Sequence, residues 1–88
     1  MAAPEAAITV HLRVSPTLRH RLSAFAGTTV VEMRLAPGAL VRDLAAAVGV
    51  DLDAEPLLCL VNSRVEQPDS VLHDGDQVRL MHRIAGGS

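Results

Sequence analysis

Three stretches of the chain alternate apolar and polar positions with a period of two, the pattern of a strand that buries one face and wets the other. The first is "ITVHLRV", where Ile8, Val10, Leu12 and Val14 are set against Thr9, His11 and Arg13. The second is "VVEMRL", with Val31, Met33 and Leu35 on one side and Val30, Glu32 and Arg34 on the other, closed by Pro37-Gly38. The third follows a short turn and a tight Asp74-Gly75-Asp76 bend, and points Val78 and Leu80 inward. "LLCLVN" is different: an unbroken apolar run of strand length between Pro56 and Asn62-Ser63, as expected of a strand with little solvent on either face.

Two stretches carry helical spacing instead. In "SPTLRHRLSAFAG", Leu18, Leu22 and Phe25 precede the stop at Gly27, which predicts a short helix bridging the first two strands. "ALVRDLAAAV" predicts a helix of about three turns. Its inward positions would be Leu40, Leu44 and Val48, and Gly49 stands where a left-handed cap is wanted. On this reading Leu40→Asp exposes the wrong face.

The order strand, strand, helix, strand, strand describes a small α+β architecture in which a helix covers one face of a mixed sheet. The other face stays open, with Thr9, His11 and Arg13 beside Arg79, Met81 and Arg83. Leu58 and Leu60 are expected to point outward from "LLCLVN", giving an apolar centre rimmed by arginine. That pattern makes Leu58, Leu60, Arg13, Arg79, Met81 and Arg83 a candidate partner surface.

Composition narrows the function. A chain of 88 residues supports one core. Phe25 is its only aromatic residue and the net charge is −2, so stacking on bases and a general nucleic-acid partner are excluded. Cys59 is the single cysteine, inside an apolar strand; it reads as a small buried hydrophobe in a protein of a reducing compartment. "MAAPEAA" lacks the basic start and apolar run of a secretory signal, and no stretch approaches a membrane span, so a cytoplasmic protein without membrane contact is expected. His11, His20, His73 and His82 match no compact ligand spacing, so no metal is expected. Asp69, Asp74 and Asp76 read as bend chemistry rather than catalytic carboxylates. All eight basic residues are arginine and none is lysine, so the chain offers no side-chain amine to an activated carboxyl group.

The strand end "LVNSR", the following "VLHDGDQVRLM" and above all the terminal "IAGG" resemble the ubiquitin-like sulfur carriers, the MoaD/ThiS family, over residues 8 to 87. The resemblance implies a β-grasp fold, a mixed four- to five-stranded sheet covered on one face by a helix. It places a flexible N-terminus at 1–7, the domain at 8–84 and a flexible diglycine tail at 85–88. It further implies a carrier and not an enzyme: an ATP-using, ubiquitin-activating-enzyme-like partner adenylates the carboxyl group of Gly87, and a sulfur transfer makes it a thiocarboxylate. The carrier binds no cofactor itself, ATP being the activating partner's. An acceptor synthase then takes the sulfur.

Glycine has no Cβ, so Gly86 and Gly87 suit a tail that threads a narrow channel. The inserted "SPTLRHRLSAFAG" is similar to a segment of the small subunit of molybdopterin synthase, which favours that branch over the thiamin carriers. Two features depart from the family pattern. Asn62-Ser63 stands where Asn-Gly is common, and Ser88 follows the diglycine, so that a processing protease is implied where the serine is native. The alternatives are a ubiquitin-like modifier joined through Gly87 to lysines of other proteins, and a β-grasp interaction module whose tail is inert.

Overall fold

The structure, a computed structural model, describes residues 7–82. Its elements are β1 (Ile8–Val14), α1 (Pro16–Arg21), a 3₁₀ turn (Ser23–Phe25), β2 (Val31–Leu35), α2 (Val41–Ala47), β3 (Leu58–Val61), β4 (Arg64–Glu66) and β5 (Gln77–Met81). The strands form one five-stranded sheet in the order β2-β1-β5-β3-β4. β1 and β5 run parallel at its centre, and every other pair is antiparallel.

Register carries the period-two pattern across the whole sheet. Leu12 lies opposite Val78 and Val14 opposite Leu80, while Cys59 and Val61 of β3 face Leu80 and Val78 from the other side. Because residues directly opposite share a face, these side chains make one continuous buried layer with Val10 and Ile8. Val31, Met33 and Leu35 of β2 are half-buried against it. Leu18, Leu22 and Phe25 of the predicted bridging segment join the same core, although the helix proper ends at Arg21 and Leu22 lies beyond it.

The covering helix differs from the sequence expectation. α2 has seven residues, about two turns, and buries Val41, Leu44 and Ala45, with Val48 buried just beyond. Leu40 is not one of its inward residues but its N-cap, half-exposed, with an extended backbone and a bridge to Val71. The spacing 41, 44, 45, 48 is the commoner apolar stripe; Leu40 mimicked it from one position too early. The start of α2 is satisfied by the loop after β4. Val41 and Arg42 donate their amides to the carbonyls of Ser70 and Pro68 at 3.0 and 2.9 Å, and the Asp43 carboxylate accepts the Leu40 amide at 2.8 Å. The end closes as a Schellman motif: Gly49 takes φ +94°, its amide donates to Ala46, and the Val50 amide donates to Ala45 at 2.9 Å.

β4 is a strand that the alternation does not announce. At three residues it is too short to display a period, and it exists because Asn62 and Ser63 fold β3 back onto it. Both turn residues have positive φ, +52° and +71°, the signs required by a two-residue type I′ hairpin. Serine therefore takes the position where glycine would be unstrained.

Candidate functional site

The face of the sheet opposite the core is built from alternate residues of every strand. One row crosses four strands: Arg13 of β1 is opposite Arg79 of β5, Arg79 is opposite Leu60 of β3, and Leu60 is opposite Val65 of β4. The next row pairs Met81 with Leu58. Leu58, Leu60 and Met81 are half-buried and Val65 is 62% exposed, so a small apolar patch lies beside an arginine pair. Of the predicted surface residues the structure thus brings together Leu58, Leu60, Arg13, Arg79 and Met81. Arg83, Gly86, Gly87 and Ser88 lie outside the described residues.

Val65 was not recognisable from its own surroundings, since "RVE" shows no period. The signal was indirect: a two-residue turn after a strand implies a partner strand, and alternation from Leu60 then puts Val65 on the open face.

The opposite end of the open face is organised by the Asp74-Gly75-Asp76 bend. Asp74 accepts the Thr9 amide at 2.7 Å, and the Gly75 amide donates to the Thr9 carbonyl at 2.7 Å, sewing the bend to β1. Gly75 has φ +87°, a conformation that favours glycine. Asp76 is 8% exposed, the one buried charged residue among those described. Its carboxylate accepts from the Asn62 side-chain amide at 2.9 Å and from the His73 backbone at 2.8 Å. Asn62 in turn accepts the Gln77 amide at 3.0 Å and donates its own amide to the Gln77 carbonyl at 2.7 Å. The bend and the β3–β4 turn are therefore one locked unit, and the aspartates hold backbone in place.

Elsewhere the charges pair off. Arg21 gives both oxygens of Glu55 a hydrogen bond at 2.8 and 2.9 Å, and His82, just past β5, lies 3.3 Å from the same carboxylate. Those Arg21 hydrogen bonds hold the Glu55 carboxyl below its ordinary value, against the opposing effect of its partial burial and with help from His82. Arg42 bridges Asp69 and Asp53, whose hydrogen bonds raise its pKa. His11 sits 3.4 Å from Glu32 on the open face. Cys59 is buried, with its thiol 3.7 Å from the Leu57 carbonyl. Among the described residues, no His, Cys, Asp and Glu side chains gather into a metal-binding group, and no helix is long and apolar enough to cross a membrane.

A central parallel pair, flanking antiparallel strands and a helix on one face define a ubiquitin-like β-grasp protein. No protein-family model and no curated protein matches the sequence. Solved structures do. A Pyrococcus furiosus protein assigned as molybdopterin converting factor, subunit 1, superposes with a TM-score of 0.67 at 27% identity, over 88% of this chain and 99% of its own. The HVO 2177 protein of Haloferax volcanii matches at 0.70 and 21% identity, over 99% of this chain and 93% of its own. The small archaeal modifier protein 1 of the same organism matches at 0.67 and 16% identity, over 88% and 99%. In its ubiquitin-like β-grasp fold the chain is accordingly similar to a molybdopterin converting factor subunit and to a small archaeal modifier protein.

Proposed function

We propose that the chain is a sulfur carrier whose working group is the carboxyl of Gly87. The observation that carries this reading is the β-grasp domain whose last strand leads, six residues after Met81, to Gly86-Gly87. Six residues reach at most about 20 Å, enough for the terminus to enter a partner's active site while the open sheet face rests on that partner. The Gly87 carboxylate attacks the α-phosphate of ATP held by an adenylating enzyme and pyrophosphate leaves. A persulfide sulfur then displaces AMP, and a thiol cleaves the resulting S–S bond to leave the thiocarboxylate. This soft nucleophile is delivered to an acceptor synthase, a molybdopterin synthase large subunit by analogy with the Pyrococcus neighbour. The carrier supplies no catalytic group. Ser88 is removed by a protease before activation.

The test is the intact mass of untagged protein made in its own host. The expected species ends at Gly87, with a fraction heavier by the difference between sulfur and oxygen. Retention of Ser88 with no sulfur-bearing fraction in the presence of the cognate enzymes would leave the tail inert and make the domain an interaction module. Deleting Gly87 is expected to abolish ATP-dependent activation while the fold survives.

A second reading is supported by the likeness to a small archaeal modifier: Gly87 joined to lysines of other proteins. Thiol-resistant covalent ladders in cell extract would favour it. The lysine-free sequence leaves no side-chain acceptor for chains built on itself.

A further inference from the structure

Arg13 and Arg79 stand side by side on neighbouring parallel strands of the open face. Like charges directly opposite one another destabilise a sheet. Among the described residues neither makes an ion pair, and neither does Arg19, although Arg21 and Arg42 are both neutralised by carboxylates. Arg34 and Arg64 make no ion pair either, but they stand opposite Thr9 and Val61. Among the described residues, only Arg13 and Arg79 are therefore unpaired arginines set directly against each other, in a chain with more acids than bases.

The arginine pair forms a ridge between two clefts that share it. One, of about 300 Å³, is lined by His11, Arg13, Leu60, Asn62, Gln77 and Arg79. The other, of about 250 Å³, is lined by Arg13, Ser15, Arg19, Thr29, Arg79 and Met81. Each cleft also contains a residue with a buried polar atom that has no hydrogen-bond partner: His11 Nδ1 in the first and Ser15 Oγ in the second. A buried polar group left unsatisfied is costly, and among the described residues these two atoms belong to residues that line the clefts beside Arg13 and Arg79. His11, Arg13 and Ser15 are alternate residues, so they follow one another along one edge of both clefts at about 7 Å intervals.

We propose that these clefts are a paired carboxylate site, filled by two acidic side chains of an extended segment of the protein partner that covers Leu58, Leu60, Val65 and Met81. The arginines form the rim of that apolar patch, where charge selects the partner and sets the docking register. A free nucleotide phosphate fits less well. Each cleft is at or below the size of an ordinary small-molecule pocket, and the open apolar patch beside them calls for a cover that a phosphate cannot supply. The inference rests on the docking role assigned above to the open face, and makes the partner's contact surface acidic.

The test uses the full ¹⁵N-labelled chain, followed by NMR at fixed ionic strength. The probes are the capped peptide Glu-Ala-Glu-Ala-Glu, whose outer carboxylates span about 13 Å when extended, a peptide with only its central Glu, and inorganic phosphate. The expected result is saturable shifts at His11, Arg13, Ser15 and Arg79, with the tri-glutamate peptide at least tenfold tighter than the single-glutamate one. That difference should vanish in Arg13→Gln/Arg79→Gln and persist in Arg34→Gln. Equal binding to the double variant, no saturable shift, or phosphate binding as tightly as the tri-glutamate peptide would each overturn the proposal.

ATP–pyrophosphate exchange by the host's adenylating enzyme separates this failure from that of the carrier reading. A KM at least tenfold higher for Arg13→Gln/Arg79→Gln with kcat unchanged supports both. With chains ending at Gly87, exchange unaffected by the double variant sinks the carboxylate site alone, whereas no exchange with the chain of otherwise wild-type sequence sinks the carrier and leaves the peptide titration to judge the site.

Discussion

Asp76 shows how much one carboxylate can organise. It holds the β3–β4 turn through Asn62 and its own bend through the His73 amide, and its carbonyl accepts the His11 amide at 2.9 Å. Asp76→Ala would leave two donors without their acceptor, and a loss of about 2–3 kcal/mol in urea unfolding is expected; a change below about 0.5 kcal/mol would refute the structural role, since surface substitutions alone do that little. Ser63 is the complementary case. With φ at +71° it occupies a conformation that disfavours a Cβ, so Ser63→Gly should raise the unfolding free energy in urea by about 0.5–1 kcal/mol, through a higher midpoint at unchanged m-value. Asn62 is recognisable in the sequence as a turn residue, but its link to Asp76, fourteen positions away, is a product of strand pairing and has no local signature.

At the scale of elements, α2 provides the sharpest comparison. Leu44 is fully buried, whereas Leu40 caps the helix from the outside. Leu44→Asp is expected to abolish the folded circular dichroism spectrum, because an unpaired buried carboxylate costs as much as a small domain has to lose. Leu40→Asp should stay within about 1 kcal/mol of wild type, since aspartate is a favoured N-cap. Equal unfolding by both would restore Leu40 to the core face.

A second element-level contact is ionic. Glu55 joins α1, through Arg21, to His82 at the exit of β5. Its carboxyl titrates below the ordinary 4.5 when folded, so it contributes stability above that value and loses it as the pH falls through the folded value. Between about pH 5 and pH 3 the Tm of Glu55→Gln should therefore fall less steeply than that of wild type. Parallel curves would show the pairing to be without consequence.

For the molecule as a whole, the core and the proposed docking surface use opposite faces of the same sheet. A substitution on the open face should then damage docking and spare folding. Leu60→Asp is expected to keep its unfolding free energy within about 1 kcal/mol of wild type, while its association with the adenylating enzyme weakens at least tenfold. Binding unaffected by that change would move the partner surface away from the arginine row. The net charge is −2, yet Arg13, Arg34 and Arg79 lie without ion pairs among the described residues on the open face, which is therefore locally basic. An acidic partner would meet it at a rate that falls with salt.

The sequence by itself determined the α+β class, both faces of β1 and β5, the outward turn of Leu58 and Leu60, and the resemblance to sulfur carriers. Each of these rests on periodicity or on residues close together in the chain. Tertiary structure alone decided the register that sets Arg13 against Arg79, the existence of β4 and the exposure of Val65. It also decided the beginning of α2 one residue later than the spacing suggested, and the linking of Asn62 to Asp76. The reason is physical: alternation tells which side of a strand faces water, but only hydrogen bonding between strands distant in sequence chooses which residues become neighbours on that side.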